Sequence, residues 1–133
     1  MLSAPGESEA TKAVVATRKK TGGFIGLISS LTVHADGTLN ILDNEFSRDE
    51  TKKVPQERVR PLVEALSRPE WQEISTYYGE PQGARFSMVI EGGGKHTQIE
   101  VSSEAGSYSP IVSVPPTLEE VLTHLENLWR TGT

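Results

Sequence analysis

The chain has 133 residues, of which 35% are hydrophobic and 23% are charged, with a formal net charge of −5 and no cysteine. This length fits one domain that folds around its own hydrophobic core. The negative charge argues against nucleic acid and against an anionic membrane surface as partners. The lack of cysteine excludes disulfides, thiolate chemistry and cysteine zinc sites. No apolar run reaches the roughly 18 residues that a transmembrane helix needs.

The start of the chain predicts a flexible lead-in. Residues 1–11 are small and polar and include proline and glycine, a composition typical of disordered termini. They show neither the basic region nor the apolar core of a signal peptide. We therefore expect a lead-in over residues 1–11 and a single domain over residues 12–130. The compartment stays open: cytoplasmic, or secreted or in the cell envelope if a signal segment was removed.

The next part of the chain predicts a strand and a tight hairpin. Residues 13–18 are rich in β-branched side chains and indicate a strand, which residues 19–23 interrupt before the apolar pattern resumes. Asp36-Gly37 then lies between two alternating runs, and it predicts a two-residue turn because both positions tolerate a positive φ. Residues 43–53 alternate in charge sign and indicate a long solvated loop or an irregular strand.

Two helices and a second hairpin follow. After Pro55, an apolar stripe at helical spacing predicts an amphipathic helix; its members are Val59, Leu62, Val63 and Leu66. Trp71 and Ile74 indicate a short further turn of helix over the core. Alternating residues on both sides of residues 92–94 predict the hairpin. Residues 102–116 read as a loop, and Thr117 with Glu120 matches a capping box before a helix with its own apolar stripe: Leu118, Val121, Leu122, Leu125 and Leu128.

This order of elements predicts an α+β fold. We expect an antiparallel sheet of about four to five strands, with a central helix and a C-terminal helix packed on one face. Strands that are paired through tight turns favour this arrangement over a doubly wound one, because no strand–helix–strand alternation is present.

The sequence shows no pattern typical of catalysis. The histidines, His34, His96 and His124, lack metal-ligand spacing, and no serine lies in a nucleophile elbow. Gly92-Gly93-Gly94 precedes Lys95 but lacks the rest of a phosphate loop, so a hairpin turn is favoured. We therefore expect no catalytic residue, no metal, no cofactor and a monomeric protein that binds a partner.

Two short segments of the sequence are each compatible with two interpretations. The glycines of residues 22–26 fit either a kinked sheet edge or a backbone surface that lies against a partner. Tyr77 and Tyr78 fit either a recognition patch or a lid on the core, since tyrosines are frequent interface anchors.

The run of residues 14–18, followed by Gly22-Gly23-Phe24-Ile25-Gly26-Leu27, resembles the N-terminal signature of the emfourin family. The later order of helix, hairpin near Phe86 and closing helix is also similar, so the resemblance covers residues 13–129. The chain departs from the family at Lys20 and Thr21, which are two extra residues before the glycines, and at Met88, where a tyrosine is expected. The family positions that match are Gly22, Gly23, Phe24 and Gly26.

The resemblance implies a function. Emfourins are small bacterial and archaeal inhibitors of thermolysin-like zinc metalloproteases, so this chain is expected to bind such a protease. The candidate contact segments are residues 22–26, 43–53 and 77–83. An acidic loop that entered the zinc cleft would place four carboxylates near the metal: Asp43, Glu45, Asp49 and Glu50. The alternatives are an envelope or general interaction domain without inhibitory activity, for which the lead-in would be a tether, and an enzyme.

Overall fold

The computed structural model describes residues 13–22, 26–44, 47–80, 86–104 and 107–131. The predicted lead-in over residues 1–11 lies outside these ranges. Within them the chain is mixed α and β, and its strands form one sheet that is antiparallel except for a single parallel pair.

The first half of the sheet is a four-stranded meander. Each strand pairs with the next through a tight connection, and the strands are β1 (Val14–Gly22), β2 (Leu27–His34), β3 (Thr38–Asp43) and β4 (Arg48–Lys53). The β2–β3 hairpin lies where the sequence predicted it, but its connection has three residues, 35–37, instead of two, and of these Gly37 alone has a positive φ. Gly37 there has a φ of 96°, and an added Cβ would lie 2.0 Å from the Val54 carbonyl oxygen, so only glycine fits.

The second half of the sheet joins the first through β1. Its strands are β5 (Tyr77–Tyr78), β6 (Phe86–Gly92), β7 (Lys95–Glu104) and β8 (Ser107–Pro110). The spatial order is β4-β3-β2-β1-β6-β7-β5, and β8 also pairs with β7. β5 runs parallel to β7, and the β6–β7 turn is the predicted hairpin, with positive φ at Gly93 and Gly94.

Eight strands replace the four to five that the sequence predicted. The charged run of residues 48–53 is a strand at the edge of the sheet, where charged side chains are common because they discourage pairing with other molecules. The predicted interruption at residues 19–23 is wrong up to Gly22, because β1 continues to that residue and is paired on both sides. The predicted loop over residues 102–116 contains the end of β7 and all of β8.

Within the described ranges, three helices cover one face of the sheet. They are α1 (Gln56–Leu66), α2 (Pro69–Glu73) and α3 (Pro116–Thr131), so a single central helix does not describe the layer. Val63 of the predicted stripe is exposed, and Ala65 is buried in its place. The predicted capping box is not formed, since α3 begins at Pro116 and the hydroxyl of Thr117 has no hydrogen-bond partner among the described residues.

The hydrophobic core lies between the helices and one face of the sheet. Leu31, Val33, Leu39 and Ile41 are buried on β2 and β3, whereas the residues that alternate with them are not. Trp71 is also buried, as predicted, and its indole N–H donates to the Gly92 carbonyl oxygen at 2.9 Å. The opposite face of these strands is therefore open, and a surface feature there is available to a partner.

Candidate functional site

One end of the sheet collects most of the segments that the sequence singled out. β1 ends there at Gly22 and β2 begins at Leu27, while β3 ends at Asp43 and β4 begins at Arg48. Cross-strand pairing places Gly22 opposite Leu27 and Asp43 opposite Arg48. We call this part of the molecule, with its two hairpin connections, the loop end.

Asn44 ties the two hairpin connections of the loop end together. Its side-chain amide donates to the Gly26 carbonyl oxygen at 2.9 Å, and its side-chain oxygen accepts from the Ile28 N–H at 2.9 Å. Its own backbone N–H donates to the Ile28 carbonyl oxygen at 3.0 Å. Three hydrogen bonds made by one residue therefore join the end of β3 to Gly26 and Ile28.

Gly26 and Ser47 give the loop end its backbone geometry. Both have positive φ, 69° for Gly26 and 53° for Ser47. An added Cβ at Gly26 would meet nothing within 4 Å, so glycine is required there by conformation and not by space. Ser47 adopts the left-handed conformation, which costs free energy for a residue other than glycine. Such strained residues often lie in binding loops.

The open face of the loop end carries two exposed aliphatic side chains. Ile28 is 51% exposed and Leu42 is 48% exposed. Leu42 pairs with Ser30 of β2, two residues along from Ile28, so the two side chains are diagonal neighbours on one face. Asp49 lies opposite Leu42 on β4 and is exposed. The site therefore combines a small apolar patch with one carboxylate.

The covered face of the loop end is charged instead of apolar. It lies beneath the last turns of α3, and we call it the charged layer; its members are Arg18, Lys20, Ser29, Asp43, Arg48, Glu50, Lys52, Glu126, Trp129 and Arg130. Three of its cations contact the Trp129 ring. The ring centroid is 5.0 Å from Arg18 Cζ, 5.3 Å from Lys20 Nζ and 4.8 Å from Arg48 Cζ, distances typical of cation–π contacts.

Arg18 is the most deeply buried cation of the charged layer, with 2% of its surface exposed. Its Nη1 donates to Glu126 Oε1 at 3.0 Å. Among the described residues, its Nε and Nη2 have no hydrogen-bond acceptor, and the buried Ser29 hydroxyl has no partner either. Buried polar groups in native proteins are nearly always hydrogen-bonded, so these atoms are exceptions.

Electrostatics in the charged layer follow from this burial. Desolvation lowers the pKa of Arg18, against the opposing effect of Glu126. Burial alone would raise the pKa of Glu126, but the hydrogen bond from Arg130 and the charge and hydrogen bond of Arg18 outweigh it, so the pKa is lowered. At the sheet edge, the hydrogen bond from Arg48 lowers the pKa of Glu50. The carboxylates therefore stay ionised beside their cations.

The four predicted carboxylates do not form one exposed acidic loop. Asp43 is buried in the charged layer, because it ends a strand whose alternation turns it towards α3. Glu50 pairs with Arg48 at 3.0 Å and with Lys52 at 3.5 Å. Asp49 is exposed on the open face, and Glu45 lies outside the described residues. Of the described three, only Asp49 faces the solvent freely enough to meet a partner.

The glycine segment lies at the loop end, whereas the tyrosines do not. Gly22 and Gly26 flank the β1–β2 connection, and Gly23 and Phe24 lie outside the described residues. Tyr77 and Tyr78 form β5 at the other edge of the sheet. The Tyr78 hydroxyl accepts from the Ser75 N–H at 3.0 Å and its ring packs on the core, as a lid does, whereas Tyr77 is exposed.

The histidines do not converge. His34 is hydrogen-bonded to Asn40 at 2.7 Å on the open face, and His124 lies 3.5 Å from Glu120 on the same helix. In the described ranges, no group of three or more metal-binding side chains occurs. A groove of about 470 Å³ between α1 and α3 includes His124 and Glu57. No catalytic mechanism follows from the arrangement of these side chains.

Sequence reasoning missed Asn44, Ile28, Leu42 and the charged layer. The role of Asn44 could have been predicted, because the side chain of an asparagine after a strand commonly forms hydrogen bonds with nearby backbone groups. Nothing in the sequence indicated the charged layer, because lysine and arginine on a strand normally face the solvent.

Comparisons of the chain with protein-family models, with curated proteins and with solved structures found no match. Over the described residues, none of the helices combines the length and the apolar character needed to cross a membrane.

Proposed function

We propose that this chain is a non-catalytic binding protein that inhibits a thermolysin-like metalloprotease, with the loop end as its contact surface. The observation that carries the proposal is the set of three hydrogen bonds between Asn44, at the end of β3, and Gly26 and Ile28, at the start of β2, which we call the Asn44 lock. A surface that is ordered before binding loses little conformational entropy when the complex forms, which is a common property of protease inhibitors.

The apolar patch beside the lock supports the same proposal. Ile28 and Leu42 are two of the few large aliphatic side chains that the described residues expose. A partner that covered them would gain the free energy of burying apolar surface at the centre of its contact. Asp49 at the rim would add a charge that selects the orientation of the partner.

The choice of protease class comes from the resemblance to emfourins. Two of the matching positions, Gly22 and Gly26, lie at the same connection that Asn44 fixes. The family signature and the exposed patch therefore occupy one region of the chain, although they were identified independently.

The proposal is tested by titrating a thermolysin-like protease with the intact chain after preincubation, and by following hydrolysis of a small synthetic substrate. Stoichiometric loss of activity is expected. The mass of the chain is measured after the assay, because a chain that is merely a competing substrate would be cleaved. No loss of activity, or loss that disappears as the chain is digested, would contradict the inhibitor proposal.

A matched set of variants tests the contact surface. Ile28→Ser combined with Leu42→Ser is expected to weaken inhibition by about tenfold or more, since truncation of central apolar contacts usually costs that much. Val63→Ser is the control, because Val63 is 41% exposed but lies on α1, away from the open face. Equal inhibition by all of these variants would place the contact surface elsewhere.

An interaction domain without inhibitory activity is the alternative. It predicts that the intact chain leaves the protease fully active. The loop end would then be the first surface to probe with other partners, because the lock and the patch do not depend on which partner binds them.

A further inference from the structure

We propose that the charged layer contains a binding site for a carboxylate, and that the ligand is held by the unused edge of the Arg18 guanidinium. Nε and Nη2 lie on the same edge of an arginine side chain, and together they form the two-pronged donor that receives both oxygens of a carboxylate. Both lack an acceptor among the described residues, while Nη1 on the other edge is occupied by Glu126.

The surroundings of this edge also fit an anion. Among the described residues, the charged layer holds five cationic side chains, Arg18, Lys20, Arg48, Lys52 and Arg130, against three carboxylates, Asp43, Glu50 and Glu126. The layer is thus locally positive by two charges in a chain whose net charge is −5. The Ser29 hydroxyl, buried and unpartnered among the described residues, adds a neutral donor across the strand from Lys20.

The shape of the layer favours a planar ligand. Arg18 lies between the sheet and the Trp129 ring, with 5.0 Å from Cζ to the ring centroid. A carboxylate that is bound side-on lies in the plane of the guanidinium and matches its two donors. A tetrahedral phosphate carries further oxygens out of that plane, so it needs more room beside the Trp129 ring.

A ligand would enter beside α3. Glu126 and Trp129 are both partly exposed although they contact the buried Arg18. Fraying of the last helical turn, which carries Trp129, would uncover the guanidinium without disturbing the sheet. The site is separate from the proposed contact with a protease, which uses the open face.

The first experiment measures the thermal unfolding midpoint of the intact chain while sodium formate replaces sodium chloride at constant ionic strength. A ligand that binds only the folded state raises the midpoint, by about 5 °C when it is tenfold above its Kd. Sodium phosphate at the same ionic strength stabilises folded proteins through exclusion from their surface, so it is expected to give no saturable rise. A midpoint that shows no saturable rise in formate, or that shows an equal saturable rise in phosphate, would overturn the proposal.

The two indole N–H resonances in an NMR titration locate the effect within the same sample. Formate is expected to shift the Trp129 resonance and the Arg18 Nε–H resonance, because both groups border the site. The Trp71 resonance is expected to stay fixed, since its N–H is bonded to Gly92 at the other end of the sheet. Equal shifts of both indole resonances, or none, would contradict the site.

Variants separate charge from geometry. Arg18→Lys keeps a cation but removes the two-pronged donor, so the formate effect is expected to disappear. Arg68→Lys is the control, because Arg68 pairs with Glu120 on the surface of the helices, and it is expected to keep the full effect. A formate effect that persists in Arg18→Lys would overturn the proposal; the measurements on the unaltered chain remain decisive if that variant does not fold.

A last pair of probes distinguishes the source of the carboxylate. An acetylated tripeptide with a free C-terminus is compared with the same tripeptide carrying a C-terminal amide. Stronger binding of the free acid than of formate would assign the site to a peptide terminus. Binding of formate alone would assign it to a small carboxylic acid, and both results support the site.

Discussion

The two tryptophans lie at opposite ends of the covered sheet face, and their surroundings differ. Trp71 is buried beside the β6–β7 turn, among aliphatic side chains, and its N–H is hydrogen-bonded to Gly92. Trp129 is partly exposed at the loop end, and three cations contact its ring. The Trp71 indole therefore lies in an apolar core and makes its hydrogen bond. The Trp129 indole instead covers Arg18, two of whose buried nitrogens have no acceptor among the described residues.

This difference separates stability from binding. Buried apolar surface and satisfied hydrogen bonds stabilise a fold without leaving anything for a partner to use. Unpaired buried donors cost free energy, and native proteins retain them mainly where they serve another purpose. The end of the sheet around Trp71 is therefore expected to contribute most to stability, and the loop end is where binding is expected.

The largest expected effect is the loss of Trp71. Trp71→Ala should lower the free energy of unfolding by about 3–5 kcal/mol, because it removes a fully buried indole and leaves a cavity. Urea unfolding followed by far-ultraviolet circular dichroism measures this change. A loss below about 1 kcal/mol would show that this end of the core is loosely packed.

Removal of Trp129 should cost less. Trp129→Ala is expected to lower the free energy of unfolding by about 2 kcal/mol, since the ring is partly exposed and its contacts with cations are individually weak. The same urea titration measures it, and Trp129→Phe, which keeps an aromatic ring, should recover part of the loss. Equal effects of Trp71→Ala and Trp129→Ala would remove the contrast between the two ends.

Neutralising Glu126 should have a smaller, pH-dependent effect. The pKa of Glu126 is lowered in the folded chain, so its stabilising contribution is complete above the unfolded pKa and is lost as the pH falls through the folded value. At neutral pH, Glu126→Gln is expected to cost about 1 kcal/mol, because the carboxylate is partly exposed. The difference from wild type should shrink as the pH falls below about 4.5. A difference that is constant with pH would show that charge plays no part.

Breaking the lock should have the smallest effect on stability. Asn44→Ala removes two side-chain hydrogen bonds at an exposed position, so the free energy of unfolding should fall by about 0.5–1 kcal/mol. Inhibition of the protease should weaken by more than this change in stability explains, because the free loop end would no longer be fixed before binding. Parallel urea and inhibition titrations measure both, and inhibition that is unchanged would argue against preorganisation.

The parts of the fold that follow from local chemistry were predictable from the sequence. Gly37 and the glycines of residues 92–94 indicated hairpins because their turns need positive φ, and the apolar stripe of α3 indicated a buried helix face. β4 was predicted only as an alternative to a loop, since five of its six residues carry charges that are typical of loops. Its strand conformation comes from pairing with β3, which sequence patterns do not report.

The candidate site was predictable only in part. Gly22, Gly26 and Asp49 were identified and lie at the loop end. Asp43 was placed on the surface, although strand alternation buries it beside Arg18. The burial of Arg18 and Lys20 could not be read from β1, because polar residues occupy both faces of that strand from Thr17 to Thr21. Which face is covered depends on where α3 packs, and that is a property of the whole fold.

The most direct test of the account is hydrogen–deuterium exchange of the intact chain, alone and with an equimolar thermolysin-like protease whose catalytic glutamate is replaced by glutamine. In the complex, slower exchange is expected for peptides that cover the β1–β2 and β3–β4 connections, with no change at the turns of Gly37 and Gly93. Slower exchange at those two turns, with none at the loop end, would contradict it.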